Sequence, residues 1–82
     1  MNLIVLTPEK EIFQGTIKSV KVPGITGRFE VLKNHASIVS ALKEGMVHVE
    51  KQEGGKLSFE IEKGFLEVLN NEVALLVQGV KE

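Results

Sequence analysis

Two histidines are the first residues in this chain able to carry chemistry. His35 stands in the polar run Lys33-Asn34-His35, and His48 in the segment Met46–Lys51. Glu30, Glu44 and Glu50 are near them in sequence. Imidazole and carboxylate together make a ligand set for a first-row metal. The spacing here matches no ligand motif, and no His-Glu-x-x-His is present. Both histidines therefore read as surface or hydrogen-bonded structural residues. There is no cysteine, which excludes a thiolate zinc site and any disulfide. Redox chemistry does not constrain the compartment.

The remaining chemical motifs are sparse. No Gly-x-Ser-x-Gly, P-loop or Gly-x-Gly-x-x-Gly pattern occurs. Gly24 and Gly27 follow Pro23 and open no helix, so they read as turn glycines. The acidic residues are dispersed along strand faces opposite apolar ones, a solvated face rather than a general acid–base pair. Lys63, in Glu62-Lys63-Gly64, raises one alternative. Small β-sandwich carrier domains present a lysine on a tight turn for biotin or lipoate. The Met or Ala neighbours of such a lysine are missing, as is an internal repeat, so a solvated turn lysine is the better reading. An unassigned protein-interaction module is a further alternative.

With 82 residues, the chain is expected to form one domain over 1–82. The hydrophobic share is 43% and the charged share 26%, ordinary values for a globular protein. A net charge of −1 argues against binding nucleic acid through phosphate neutralisation. No basic run points to a membrane-surface helix. The opening residues Met1–Lys10 have a short apolar run with no basic residue before it, and read as neither signal peptide nor membrane span.

The pattern of the chain is extended throughout. Asn2–Thr7 is expected as a short buried strand, since Leu3–Leu6 is a consecutive apolar run that Pro8 ends. Glu9–Gln14 reads as an edge strand, with Gly15 a bend or bulge. Thr16–Val22 alternates, but its register slips once between Ile17 and Val20, the mark of a bulge. Pro23-Gly24 reads as a turn. Phe29 and Val31 alternate with Arg28 and Glu30. Ala36–Leu42 is too short and too β-branched for a stable helix and is expected as a strand. Met46–Lys51 and Lys56–Glu62 alternate, joined by Glu53-Gly54-Gly55-Lys56. Lys63-Gly64 reads as a tight turn, and Gly64–Leu69 as a strand. Asn70-Asn71-Glu72 is a turn, since asparagine suits the positive-φ positions of a hairpin. Val73–Val77 reads as a buried strand, followed by a polar tail over Gly79–Glu82. The expectation is an all-β, two-sheet β-sandwich of eight to ten short, mostly antiparallel strands.

One stretch carries a specific resemblance. Gly27-Arg28-Phe29-Glu30-Val31-Leu32-Lys33-Asn34-His35-Ala36-Ser37, the apolar run Ile38–Leu42 and the close Lys43-Glu44-Gly45 resemble a signature of the epsilon subunit family of rotary F-type ATP synthases. That family's N-terminal domain has an apolar-flanked Pro-x-His-Ala-Pro turn followed by Lys-x-Gly. Glu11-Ile12-Phe13-Gln14-Gly15, Gly64-Phe65-Leu66-Glu67-Val68 and Glu72-Val73-Ala74-Leu75-Leu76 resemble further segments of it. The resemblance covers almost the whole chain.

The resemblance implies a β-sandwich and a non-catalytic place in the rotor, where the protein couples proton transport to ATP synthesis. The implied partners are the gamma subunit of the central stalk and the membrane ring of c subunits. No cofactor, metal, nucleic acid or small-molecule substrate is implied. The location would be peripheral to the energy-transducing membrane, on the cytoplasmic face in a bacterium. The implied gamma and c-ring interface falls on Arg28, Glu30, Asn34, His35 and Ser37. His35 is expected to dock against gamma or to brace the turn that does. Three departures stand out. Lys33 and Ser37 replace both prolines of the turn, which should loosen it. Arg28 stands where many relatives carry an acidic residue facing the ring. The family usually continues into a helical hairpin, whereas this chain stops at Glu82, as a naturally short or a truncated form would.

Overall fold

Valine and isoleucine supply most of the interior side chains, and their branched Cβ favours extended backbone. In a computed structural model, which describes residues 1–81, that preference gives eight strands. They are β1 (Asn2–Leu6), β2 (Glu11–Gly24), β3 (Gly27–Leu32) and β4 (Ile38–Leu42). After them come β5 (Gly45–Lys51), β6 (Lys56–Ile61), β7 (Lys63–Leu69) and β8 (Glu72–Gln78). Glu82, the end of the expected polar tail, lies outside the described residues.

Hydrogen bonding runs in the order β1-β8-β7-β4-β2-β5-β6, with β3 paired to β2 and β1 also paired to β2. Two layers result. One holds β1, β8, β7 and β4; the other holds β3, β2, β5 and β6. The long β2 borders both. Its first half pairs β1 from Asn2↔Thr16 to Leu6↔Glu11, and its second half lies between β3 and β5. Among the described residues, only β1 and β8 run parallel. Each strand turns alternate residues inward. Leu3, Val5, Ile17, Val20, Phe59, Ile61, Leu66 and Leu75 are among the buried ones, and they fill one core.

Several local readings change. Glu11–Gly24 is one continuous strand, not two. Gly15 stays in register opposite Leu3 because the Phe13 ring folds over it, 3.0 Å from where a Cβ would lie. The slip at Ile17 is a bulge in the β2–β5 pairing between Ile17 and Ser19, which lets both Ile17 and Val20 face the core. Pro23 and Gly24 end β2 instead of forming the turn. β4 begins at Ile38, leaving Ala36 and Ser37 in the connection.

Lys63 is not at a hairpin tip. It opens β7, whose partners are β4 and β8, whereas β6 pairs β5. Only Glu62 separates β6 from β7, so the chain passes between layers there. Gly64 makes that passage possible. A Cβ at this position would lie 2.6 Å from the Leu76 carbonyl oxygen. A modifiable lysine at a sharp β-hairpin, as the carrier alternative requires, is absent from this position.

Candidate functional site

β3 is the element that positions the expected interface residues. Its partner register places Phe29 opposite Val22 and Val31 opposite Val20, so these face inward. Arg28, Glu30 and Leu32 then face water. Arg28 lies at one end, where its guanidinium Nη1 donates to the Met46 carbonyl at 2.8 Å. This bond ties the start of β3 to the start of β5. The adjoining Gly45 has φ 154°, and a Cβ there would lie 2.9 Å from the Pro23 Cβ. Its place in the Lys-x-Gly close thus has a steric cause.

Glu30 sits in mid-strand. It faces Lys21 on β2, which faces His48 on β5, which faces Ser58 on β6. Opposite charges at Glu30 and Lys21 support the pairing. His48 Nδ1 and Ser58 Oγ share a hydrogen bond of 2.8 Å. A serine beside an imidazole resembles half of a nucleophile–base pair. Both side chains are exposed on an open sheet face, and the bond is a cross-strand contact.

At the other end of β3 the chain turns. The His35 amide donates to the Leu32 carbonyl at 3.0 Å, closing a four-residue β-turn. Asn34 takes φ 67° at its third position, which asparagine tolerates. The His35 ring is half-buried, and its Nδ1–H donates to the Ala36 carbonyl at 2.7 Å. That leaves Nε2 as an acceptor in the neutral ring. The imidazole therefore braces the turn that lacks its prolines. Asn34 and Ser37 are exposed beside it.

The β7–β8 hairpin meets this turn. Asn70 and Asn71 have φ 51° and 63°, the two left-handed positions of a type I′ turn. The Asn34 amide donates to Asn71 Oδ1 at 2.7 Å, and Asn71 Nδ2 donates to Asn34 Oδ1 at 3.2 Å. The Asn71 carbonyl accepts from the Asn2 amide at 2.9 Å. Asn2 Nδ2 donates to Glu72 at 3.3 Å, and Thr16 donates to Asn2 Oδ1 at 3.1 Å. Four chain segments, at Asn2, Thr16, Asn34 and Asn71-Glu72, thus meet at one polar corner.

The structure brings Asn34, His35 and Ser37 together. It places Arg28 near the far end of β3, about 13 Å along the strand from Leu32, where the turn begins. Glu30 is between them, on the outer face of the second layer. His35 and His48 occupy different faces. Among the described residues, no group of three or more His, Asp or Glu side chains is arranged to hold a metal.

The sequence reading missed two features. One is Asn71, read only as a turn former, because its partner is 37 residues away. The other is the outer face of the first layer. Leu6 pairs Leu76, Leu76 pairs Phe65, and Phe65 pairs Ala41 in one outward row. With Ile25 they line a groove of about 650 Å³. Phe65 is 56% exposed and Leu76 49%. A signal was available. In a sandwich with one solvated face, the consecutive runs Leu3–Leu6 and Val73–Val77 carry apolar groups on both faces.

Comparison with known proteins bears on the family and the fold. Residues 1–82 match the family described as ATP synthase, Delta/Epsilon chain, beta-sandwich domain. The ATP synthase epsilon chain of Nitratiruptor sp. is 44% identical over 79 residues, which is 96% of this chain and 61% of the relative. The epsilon chain of Chlorobium limicola is 41% identical over 79 residues, covering 96% of this chain and 90% of the relative. The chain spans about three-fifths of the length of the first of these and nearly all of the second. Among solved structures, a chain in the Euglena gracilis mitochondrial ATP synthase superposes with a TM-score of 0.88 at 23% identity, over 96% of this chain and 51% of that one. A chain in the central stalk and c-ring of the Tetrahymena thermophila enzyme gives 0.83 at 16% identity, over all of this chain and 66% of that one. At these identities the superpositions speak to the fold.

Proposed function

From the premise that this chain belongs to the ATP synthase delta/epsilon β-sandwich family, we propose that it is a non-catalytic central-stalk subunit of a rotary ATP synthase. In this reading residues 1–82 form one domain that links the gamma subunit to the c-ring and couples ion flow to ATP synthesis. It sits at the energy-transducing membrane only through the complex, on the cytoplasmic face in a bacterium. The observation that carries the reading is the 41% identity to an epsilon chain over 90% of that relative's length.

The geometry is suited to such a part. A rotor link must transmit torque without deforming, and every strand here is paired into one hydrogen-bonded network around one core. It must also offer contacts at two places. β3 supplies them at its two ends. The Arg28 end carries a charge held in place by the Met46 carbonyl, the kind of group that meets polar loops of a ring. The Asn34-His35-Ser37 corner presents a braced turn suited to gamma. Glu30 borders both.

The test is co-purification and affinity. The chain, mixed with the gamma subunit of the same enzyme, should form a stable complex measurable by calorimetry. Absence of any association with gamma would remove the rotor assignment and leave a β-sandwich interaction module.

A further inference from the structure

The docking turn hangs from an edge. Among the described residues, β3 pairs only with β2, so nothing on its other side steadies Leu32 and the turn beyond it. The flanking positions are Lys33 and Ser37, neither of which restricts the backbone as proline does. Yet Asn34 is tied across the molecule to Asn71, on a hairpin that belongs to the other layer.

We propose that Asn71 is a positioning residue for the docking turn: its side-chain amide grips Asn34 at both the backbone and the side chain and sets where His35 is presented. The inference rests on the reading of the Asn34-His35 corner as the gamma-facing surface. Three observations carry it. The two amides bond reciprocally, 2.7 Å into Asn71 Oδ1 and 3.2 Å out of Asn71 Nδ2, so both the position and the roll of Asn34 are specified. The grip has a firm base, because Asn2 donates to the Asn71 carbonyl at 2.9 Å and β1 pairs β8 in register from Asn2↔Glu72 onward. The side chain of Asn71 is also not what makes its own hairpin. A type I′ turn needs positive φ at that position, and glycine supplies it as well or better. The amide is therefore free to serve the neighbouring turn.

That last point gives a clean variant. Asn71→Gly keeps the hairpin and removes the grip. Asn71→Asp keeps an acceptor for the Asn34 amide, and the Asn34 side chain can rotate its own amide to donate. Three readouts are compared in the 82-residue chain: exchange of the Asn34 amide by NMR, the thermal midpoint, and affinity for gamma, with His35→Ala as reference. Asn71→Gly should raise the Asn34 exchange rate about tenfold and leave the midpoint unchanged or higher. It should weaken gamma binding about fivefold, the factor of one net hydrogen bond. Asn71→Asp should retain Asn34 protection and most of the affinity.

Unaltered Asn34 exchange in Asn71→Gly overturns the proposal outright. So does raised exchange with full gamma affinity while His35→Ala binds weakly, since the grip then positions nothing that gamma reads. Raised exchange with full affinity in both variants locates the failure elsewhere: the corner is then not the docking surface, and the inference falls with that reading. Should Asn71→Gly not fold, loss of Asn34 protection with full gamma affinity in Asn71→Asp overturns the proposal on its own.

Discussion

The His35 ring has one nitrogen for its own turn and one available to a proposed partner. Nδ1 is spent on the Ala36 carbonyl inside the turn, and Nε2 is left for a partner. Removing the ring should thus touch both stability and binding, in unequal shares. The brace lies near the surface, where such changes cost about 0.5 kcal/mol. A partly buried hydrogen bond to gamma is worth roughly 1–2 kcal/mol. His35→Ala is expected to shift the urea midpoint slightly and to weaken gamma binding several-fold. Equal losses in both would reduce His35 to a brace. Arg28 tests the other end of β3. Arg28→Glu should leave gamma affinity intact, because the charge is far from the corner. It should change association with the c-ring, more at low salt than at high, by about 1 kcal/mol or less. A gamma affinity that moves with Arg28 would contradict the separation of the two ends.

Strands are where local sequence and long-range pairing meet. The step from β6 to β7 uses a single residue, Glu62, and depends on Gly64 lying against the Leu76 carbonyl. Gly64→Ala would drive a methyl group into backbone, so the strand must shift. A loss of about 1–3 kcal/mol in denaturant unfolding is expected, on the scale of overpacking a core. A neutral Gly64→Ala would mean that the two strands are not so closely apposed. The β7–β8 hairpin behaves differently. There the turn residues were readable, because Asn-Asn flanked by apolar alternation announces a type I′ turn. What was not readable is that Asn71 also reaches Asn34. Side-chain bonds between distant turns leave no periodic trace in a sequence.

At the level of the molecule, one face is unfinished. The row Leu6, Leu76, Phe65 and Ala41 lies outward on the first layer, beside Ile25. Such a patch is suited to being covered by a partner. Replacing Phe65 by Ser should leave the fold standing, since the ring is 56% exposed, and should lower binding of a hydrophobic dye to the chain. Collapse of the fold in Phe65→Ser would show that the ring belongs to the core. The chain alone should also show no tight ATP binding by calorimetry, because no phosphate-cradling loop occurs in its sequence. Its far-UV circular dichroism should lack the helical minima, in line with the absence of helix among the described residues.

By itself the sequence determined the extended class, the slip at Ile17, the positive-φ asparagines and the family. Each is a local matter of branched side chains, period-two alternation, turn chemistry or a short motif. It also marked the turn at His35, because asparagine and histidine there interrupt an apolar run. Tertiary structure decided the rest. Gly15 proved to be strand because Phe13 covers it and β1 pairs it, which no neighbour in sequence could tell. Lys63 left its supposed hairpin tip because β6 and β7 belong to different layers. Leu76 faces water although Val73–Val77 reads as a buried strand, and Phe65 faces water beside it, because alternation gives every apolar strand a second face and only packing says which face is covered. The grip of Asn71 on Asn34 exists for the same reason: the fold brings two turns to one corner, and only then do their amides have something to hold.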